Sequence, residues 1–145
     1  MDGNNILPRM VEDHSKIEKL MDDLENNIDE GYETIKKYFT KFEWKLEKHI
    51  FVEEKVIFTN YNPEDISEGY RMLPELTKQH NYILNQLSIW RKELVNKGKI
   101  DGFYTFKKIL INHRIFEENE VYPKLDQSLT NYDKKMIISR LDEIK

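Results

Sequence analysis

The apolar residues of this 145-residue chain recur at helical spacing along almost its whole length. Four stretches repeat them every three or four residues, the spacing that lines one face of an α-helix. These stripes run from Ile6 to Ile28, from Phe39 to Ile57, from Leu73 to Leu94 and from Phe106 to Leu125. No segment alternates apolar and polar residues for long enough to predict a strand. The pattern therefore predicts an all-α protein.

Polar and glycine-containing segments between the stripes predict where the helices end. A first turn is expected around Gly31, and the run from Tyr61 to Asp65 predicts a loop. Gly98 stands between two lysines and indicates a helix end with glycine just past it. Asp101 can then cap the helix that follows.

Four long helices with short connections predict an up-down-up-down four-helix bundle. A further stripe near the end of the chain predicts an additional short C-terminal helix, for which Ser128 or Thr130 can serve as the N-cap. Pro74 lies near the start of the third stripe, so it either begins the third helix or kinks it.

A chain of 145 residues suits one domain. We expect a single domain over residues 1–145, with the bundle at about 6–125 and the C-terminal helix at about 130–144. Cysteine is absent, which excludes disulfides, thiolate zinc sites and iron–sulfur clusters.

The charge and the apolar runs bear on partners and location. The net charge of −4 argues against binding to a phosphate backbone, so we expect no nucleic-acid partner. Residues Met1 to Met10 lack a basic stretch followed by an apolar one, and no apolar run approaches the roughly 20 residues that span a bilayer. We therefore expect a cytoplasmic protein without a membrane partner.

The chain has four histidines, and each lies on the apolar stripe of a different predicted helix. They are His14, His49, His80 and His113. The distances along the chain to the predicted turns put all four within about one or two helical turns in height, because a helix rises about 1.5 Å per residue. His49 and His113 are each followed four residues later by a glutamate, Glu53 and Glu117. That spacing stacks the two side chains on one helix face.

A carboxylate on an apolar face is costly to bury without a counter-charge, which a metal ion supplies. Four imidazoles and two carboxylates suit two ions, each held by two histidines and bridged by the carboxylates. Nitrogen and carboxylate ligands without sulfur indicate iron or manganese, with zinc as a third option. The remaining positions suit water, an oxo or hydroxo bridge, dioxygen or peroxide. The Glu-x-x-His pattern of ferritin-like di-iron proteins is absent.

An internal repeat supports the metal hypothesis. The segment from His49 to Phe58 parallels the segment from His113 to Tyr122 at an offset of 64 residues, and His14 to Ile17 parallels His80 to Ile83 at an offset of 66. The chain is therefore interpreted as two helix hairpins. Each contributes one histidine from its first helix and a His-x-x-x-Glu pair from its second.

The ordered series H…HxxxE…H…HxxxE resembles the hemerythrin-like (HHE cation-binding) domain over about residues 6–125. The resemblance implies a four-helix bundle that holds a non-haem di-iron centre. It also implies a protein that carries or senses dioxygen, senses iron, or reacts with peroxide or nitric oxide. The terminal iron ligands implied are the four histidines, and the implied bridging ligands are Glu53 and Glu117. No catalytic residue is assigned.

The sequence departs from the oxygen-carrying hemerythrins, which have five histidines and a His-x-x-x-His pair on the third helix. Here Leu76 and Leu84 stand four residues before and after His80. Fewer imidazoles imply a more open site, which favours redox chemistry or sensing over reversible oxygen carriage.

Either Glu117 or Glu118 could supply the carboxylate of the fourth helix. The spacing from His49 to Glu53 favours Glu117. Glu54 and Glu118 would then face solvent or contact the ligand side chains without binding the metal themselves.

The sequence leaves several functions open. The expected ligand is a small diatomic molecule or peroxide, and an enzyme of this kind would disproportionate peroxide as catalase does. An iron-sensing or oxygen-sensing module without catalysis is the main alternative. A haem-binding bundle with two axial histidines would leave the two placed glutamates unexplained, as would a metal-free structural bundle. We expect a monomer or a weak homodimer.

Overall fold

The computed structural model of the chain describes residues 5–60 and 68–144, and these residues form helices without any strand. The all-α prediction is therefore confirmed. The six α-helices are α1 (Ile6–Asn26), α2 (Tyr32–Val52), α3 (Glu68–Val95), α4 (Phe103–Phe116), α5 (Tyr122–Ser128) and α6 (Asn131–Ile144). No helix within the described residues has the length and the apolar character needed to cross a bilayer.

Two π-helical segments interrupt the regular helices, one at Glu53–Ile57 after α2 and one at Glu117–Val121 between α4 and α5. In each segment the carbonyl of the first residue accepts a hydrogen bond from the N–H five residues later, which belongs to Phe58 or to Tyr122. A π turn takes one residue more than an α turn and often occurs at functional sites. The apolar spacing alone predicts regular α-helix over both segments.

The stripes of α1 to α4 meet in a large apolar cluster, here called the distal core. Its members are Ile17, Met21, Leu24, Ile35, Phe39, Phe42, Leu46, Ile50, Ile83, Leu87, Trp90, Leu94, Ile100, Phe103, Phe106 and Leu110. The α1 and α3 members follow the histidines of those helices, whereas the α4 members and all α2 members except Ile50 precede theirs. The direction of the chain therefore alternates from helix to helix, as the up-down-up-down prediction requires.

A second apolar cluster, here called the terminal core, lies on the other side of the histidines. Its members are Ile6, Met10, Val52, Val56, Ile57, Leu73, Leu76, Val121, Tyr122, Leu125, Leu129 and Ile137. Helix α6 packs on this core through Ile137, which is fully buried. The hydroxyl of Thr130 accepts a hydrogen bond from the N–H of Asp133 (3.1 Å), so Thr130 rather than Ser128 caps α6.

Two of the predicted helix ends differ from the structure in detail. Helix α3 ends at Val95, and the residue with positive φ is Lys97 (φ 59°) rather than Gly98. The predicted cap at Asp101 is wrong, because Gly102 (φ 77°) stands between it and α4 and no side chain caps that helix. Asp101 instead accepts a hydrogen bond at its backbone carbonyl from the indole N–H of Trp90 (2.9 Å).

The start of the third helix is partly described. Pro74 lies inside α3 and is therefore not its first residue. The loop predicted from Tyr61 to Asp65 lies outside the described residues.

Candidate metal centre

All six residues that the sequence analysis selected lie together in the layer between the two cores. Each is buried, with an exposed fraction of 7% or less: His14, His49, Glu53, His80, His113 and Glu117. Each of the helices α1 to α4 carries one of the histidines. The two glutamates are the first residues of the π segments that follow α2 and α4.

The six residues form two groups that share both glutamates. The first group is His14, His49, Glu53 and Glu117, and the second is His80, His113, Glu53 and Glu117. Within each group, one candidate ligand atom per residue lies within 4.8 Å of all the others. The imidazole centroids are 4.8 Å apart in the first pair, His14 and His49, and 5.0 Å apart in the second pair, His80 and His113. Each hairpin thus supplies one histidine pair.

Glu117 lies between the two histidine pairs and turns one oxygen toward each. Its Oε1 is 3.1 Å from Nε2 of His14, and its Oε2 is 3.4 Å from Nε2 of His113. The neighbouring Glu118 belongs to neither group and is partly exposed. Glu117 is therefore the glutamate of this pair that lies within both groups.

Glu53 also reaches both pairs, but through a single oxygen. Its Oε1 is 3.2 Å from Nε2 of both His49 and His80. Its Oε2 accepts a hydrogen bond from the hydroxyl of Tyr122, which is fully buried. No pattern in the sequence indicates this contact. The internal repeat aligns Tyr122 with Phe58, whose ring stacks on that of His80 with 6.3 Å between the ring centroids.

Polar atoms at the middle of the layer have no hydrogen-bond partner. They include Nε2 of three histidines (His14, His49 and His80), Oε1 of Glu53 and both carboxylate oxygens of Glu117. Buried polar atoms almost always have partners, so this concentration calls for an explanation. A metal ion that accepts the nitrogen and oxygen lone pairs would satisfy these atoms together. The donor set therefore fits a metal-ion cofactor.

The outward nitrogens of the first pair contact carboxylates. Nδ1 of His14 is 2.7 Å from Oε2 of Glu118, and Nδ1 of His49 is 2.5 Å from Oδ2 of Asp13. Asp13 also contacts Nζ of Lys45 at 2.6 Å. An imidazole that donates from Nδ1 keeps the Nε2 lone pair for a metal, and such partners orient the ring and increase its basicity.

The outward nitrogens of the second pair have a different set of partners. Nδ1 of His113 lies 2.5 Å from the side-chain oxygen of Gln79, and Nδ1 of His80 lies 3.4 Å from Oε1 of Glu54. Glu54 and Glu118 therefore both contact candidate ligands, which was one of the two alternatives for them. Asp13 and Gln79 were missed, although each directly precedes a histidine and the repeat aligns the two positions.

The carboxylates and imidazoles shift one another's ionisation. Burial alone would lower the pKa of His49, but the charge of Glu53 and the hydrogen bond to Asp13 raise it to about 10. Burial alone would raise the pKa of Glu53, but the charge of His49, followed by the close side chains of Glu117 and His80, holds this pKa well below its usual range. In the absence of a metal the centre therefore retains protons, which a metal ion would displace on binding.

A cavity of about 20 Å³ on the side of the distal core is lined by five of the six residues, all except His80. The aliphatic residues that line it are Ile17, Leu46, Ile50, Ile83 and Leu110. A single water molecule requires roughly 10–15 Å³ on this measure, so the cavity accommodates one very small molecule.

Comparison with known proteins agrees with this geometry. The family model described as the hemerythrin HHE cation-binding domain matches residues 5–125, a range that contains all six residues of the two groups. Neither the comparison with curated proteins nor the comparison with solved structures gives a match. Because the family model covers most of the 145 residues, the chain belongs to the hemerythrin HHE cation-binding domain family.

Proposed function

We propose that this protein binds two iron ions between its histidine pairs and that the iron centre binds dioxygen or peroxide. The observation that carries the proposal is the convergence of buried, unpartnered nitrogen and oxygen atoms from four histidines and two glutamates.

The division into two groups supports a pair of ions. Each group holds two imidazoles, and both groups share Glu53 and Glu117. Glu117 turns one oxygen toward each pair, as a carboxylate that bridges two ions would. Two carboxylate charges would offset part of the charge of two divalent ions in a layer that excludes water.

The ligand types support iron. Imidazole and carboxylate ligands suit iron, and the absence of cysteine from the sequence removes the thiolates that favour zinc clusters or copper(I). Four histidines and two carboxylates would leave coordination positions open on both ions. When bound, the iron pair would supply those open positions together with reversible one-electron oxidation of each ion.

The protein would prepare the site by orienting its ligands and by restricting what can enter. The Nδ1 contacts of the four imidazoles direct the Nε2 atoms toward the middle of the layer. The cavity beside them is lined by five aliphatic side chains together with Glu18 and Arg114, and it has room for one very small molecule. A diatomic molecule or peroxide fits this space, whereas an organic substrate of ordinary size does not.

Metal analysis of matched glutamate variants tests the ligand assignment. The wild-type protein, purified from iron-supplemented cells, should contain two irons per chain and show near-ultraviolet charge-transfer absorption. Glu53→Gln should lose most of the iron, because it removes a charge that both groups share. Glu12→Gln is the control, since the side chain of Glu12 is largely exposed on the surface of α1. Zinc or no metal in the wild-type protein would contradict the iron assignment.

The small cavity provides a second test. Azide should perturb the iron absorption of the wild-type protein, and Ile83→Phe should weaken this effect because Ile83 lines the cavity. Leu87→Phe is the matched control: it lies one turn further along α3, is equally buried and does not line the cavity. Equal azide affinity in the two variants would argue against binding in this cavity.

A peroxide assay separates an enzyme from a passive binder. Disproportionation converts two molecules of hydrogen peroxide into two of water and one of dioxygen. Release of dioxygen from peroxide by the iron-loaded wild-type protein, at a rate that Glu53→Gln abolishes, would indicate catalysis. Equal rates in the two proteins would restrict the function to binding.

A further inference from the structure

The two histidine pairs differ in the charge of the groups that contact their Nδ1 atoms. Both histidines of the first pair contact carboxylates, with Nδ1 of His14 2.7 Å from Glu118 and Nδ1 of His49 2.5 Å from Asp13. These distances are those of strong, charge-assisted hydrogen bonds.

The second pair has only one weak contact of that kind. Nδ1 of His113 faces the neutral amide oxygen of Gln79 at 2.5 Å, and the distance from Nδ1 of His80 to Glu54 is 3.4 Å, at the outer limit for a hydrogen bond. The difference is built into the sequence, because Asp13 and Gln79 occupy equivalent positions directly before the first histidine of each hairpin.

A cation lies near each carboxylate of the first pair. Nζ of Lys45 lies 2.6 Å from Oδ1 of Asp13, and the guanidinium of Arg114 lies 3.4 Å from Oε1 of Glu118. The other oxygen of each carboxylate faces a histidine. Asp13 is therefore held between Lys45 and His49, whereas Glu118 is held mainly by His14. Each carboxylate is mostly shielded from solvent.

A carboxylate that accepts the Nδ1 proton makes the opposite nitrogen of the imidazole a stronger donor to a metal. A neutral amide does this less. We propose that the two metal positions are inequivalent: the position between His14 and His49 binds its ion first and more tightly, and the Asp13/Gln79 difference sets the order. This inference rests on the proposed two-ion centre.

Calorimetric measurement of Co²⁺ binding to the metal-free protein tests the proposal. Wild-type protein should bind two ions in two resolved steps. Asp13→Asn keeps the shape of the side chain but removes its charge, so the tighter step should weaken by about 10–100-fold. Gln79→Glu should strengthen the weaker step and bring the two affinities together.

Single-ligand variants assign each step to a position. His80→Ala removes a ligand from the second group and should leave the tighter step, whereas His14→Ala should leave the weaker one. Adding Asp13→Asn should weaken the step that remains in His80→Ala and leave the step in His14→Ala unchanged. Lys45→Met controls for loss of the ion pair, because it retains the Asp13 carboxylate; it should change the tighter step much less than Asp13→Asn does. Circular dichroism of each variant verifies the helical fold.

The outcomes separate this inference from the proposed function. Binding of one Co²⁺ or none by folded wild-type protein would overturn the two-ion centre itself. Two ions with equal affinity would leave the centre standing and overturn the inequivalence. The inequivalence would also fail if Asp13→Asn weakened the step that remains in His14→Ala.

Discussion

Replacing Tyr122 by phenylalanine removes one hydroxyl from the centre and leaves the ring in place. That hydroxyl donates a hydrogen bond to Oε2 of Glu53, and both side chains are fully buried. The pKa of Glu53 is held well below its usual range, because the opposing effects of His49 and of its hydrogen bonds outweigh burial, so the acceptor is charged near neutral pH. Neither side chain is exposed to bulk solvent, which could otherwise replace the lost donor.

The expected loss of stability follows from the type of hydrogen bond that is removed. A hydrogen bond to a buried charged group contributes about 1.5–3 kcal/mol to the free energy of unfolding. For a protein of this size each kcal/mol corresponds to about 2–4 °C, so Tyr122→Phe should lower the Tm of the metal-free protein by about 3–12 °C. No large cavity forms, because only one atom is removed from the terminal core.

Guanidinium unfolding of EDTA-treated protein, followed by far-ultraviolet circular dichroism, measures the effect. Tyr104→Phe is the matched control, since Tyr104 is 71% exposed and makes no buried hydrogen bond with its hydroxyl. It should change the free energy of unfolding by less than about 0.5 kcal/mol. If Tyr122→Phe behaves like this control, the contact with Glu53 does not hold the carboxylate in place and the reasoning is refuted.

Three further predictions concern the ligands, pH and metal. Glu117→Gln should abolish binding of at least one ion. Glu118→Gln should weaken metal binding by only about 10–100-fold, because Glu118 acts only through His14. Equal losses of affinity in calorimetry would contradict this assignment. In the metal-free protein the raised pKa of His49, about 10, contributes stability that is complete below its ordinary value of 6.5 and is lost as the pH rises toward 10. Denaturant unfolding across that range should show the decrease in the wild type and a smaller one in His49→Gln. Free Zn²⁺ at a thousand times its Kd should raise the free energy of unfolding by about 4 kcal/mol per occupied site. Excess EDTA should reverse this rise. An unchanged Tm would show that the centre does not bind Zn²⁺.

Most of the fold could be predicted because helical periodicity is a local property. The apolar stripes, the turn at Gly31 and the cap at Thr130 each depend on residues close together in the chain. The wrong prediction at the start of α4 also has a local cause. Gly102 takes the backbone conformation with positive φ that only glycine adopts readily, which displaces Asp101 from the cap position.

The candidate site could be predicted as a set of residues but not as an arrangement. Similar distances from the turns place the four histidines within about one or two helical turns in height, and a spacing of four residues places each glutamate beside a histidine. Nothing in those distances indicates the π segments that begin at Glu53 and Glu117, because a π turn depends on how the helix packs against its neighbours. The contact between Tyr122 and Glu53 joins two different helices and was missed for the same reason.

The sequence by itself determined the helices, the two-hairpin repeat and the six residues that meet in one layer. It could do so because the rise and the period of an α-helix convert residue numbers into height and face. Only the tertiary structure decided which histidines pair and which glutamate oxygen faces which imidazole. It also decided that Asp13 contacts a histidine of the first pair and Gln79 a histidine of the second. Those contacts depend on how far each helix is rotated and shifted against its neighbours, and side-chain packing between helices sets both quantities.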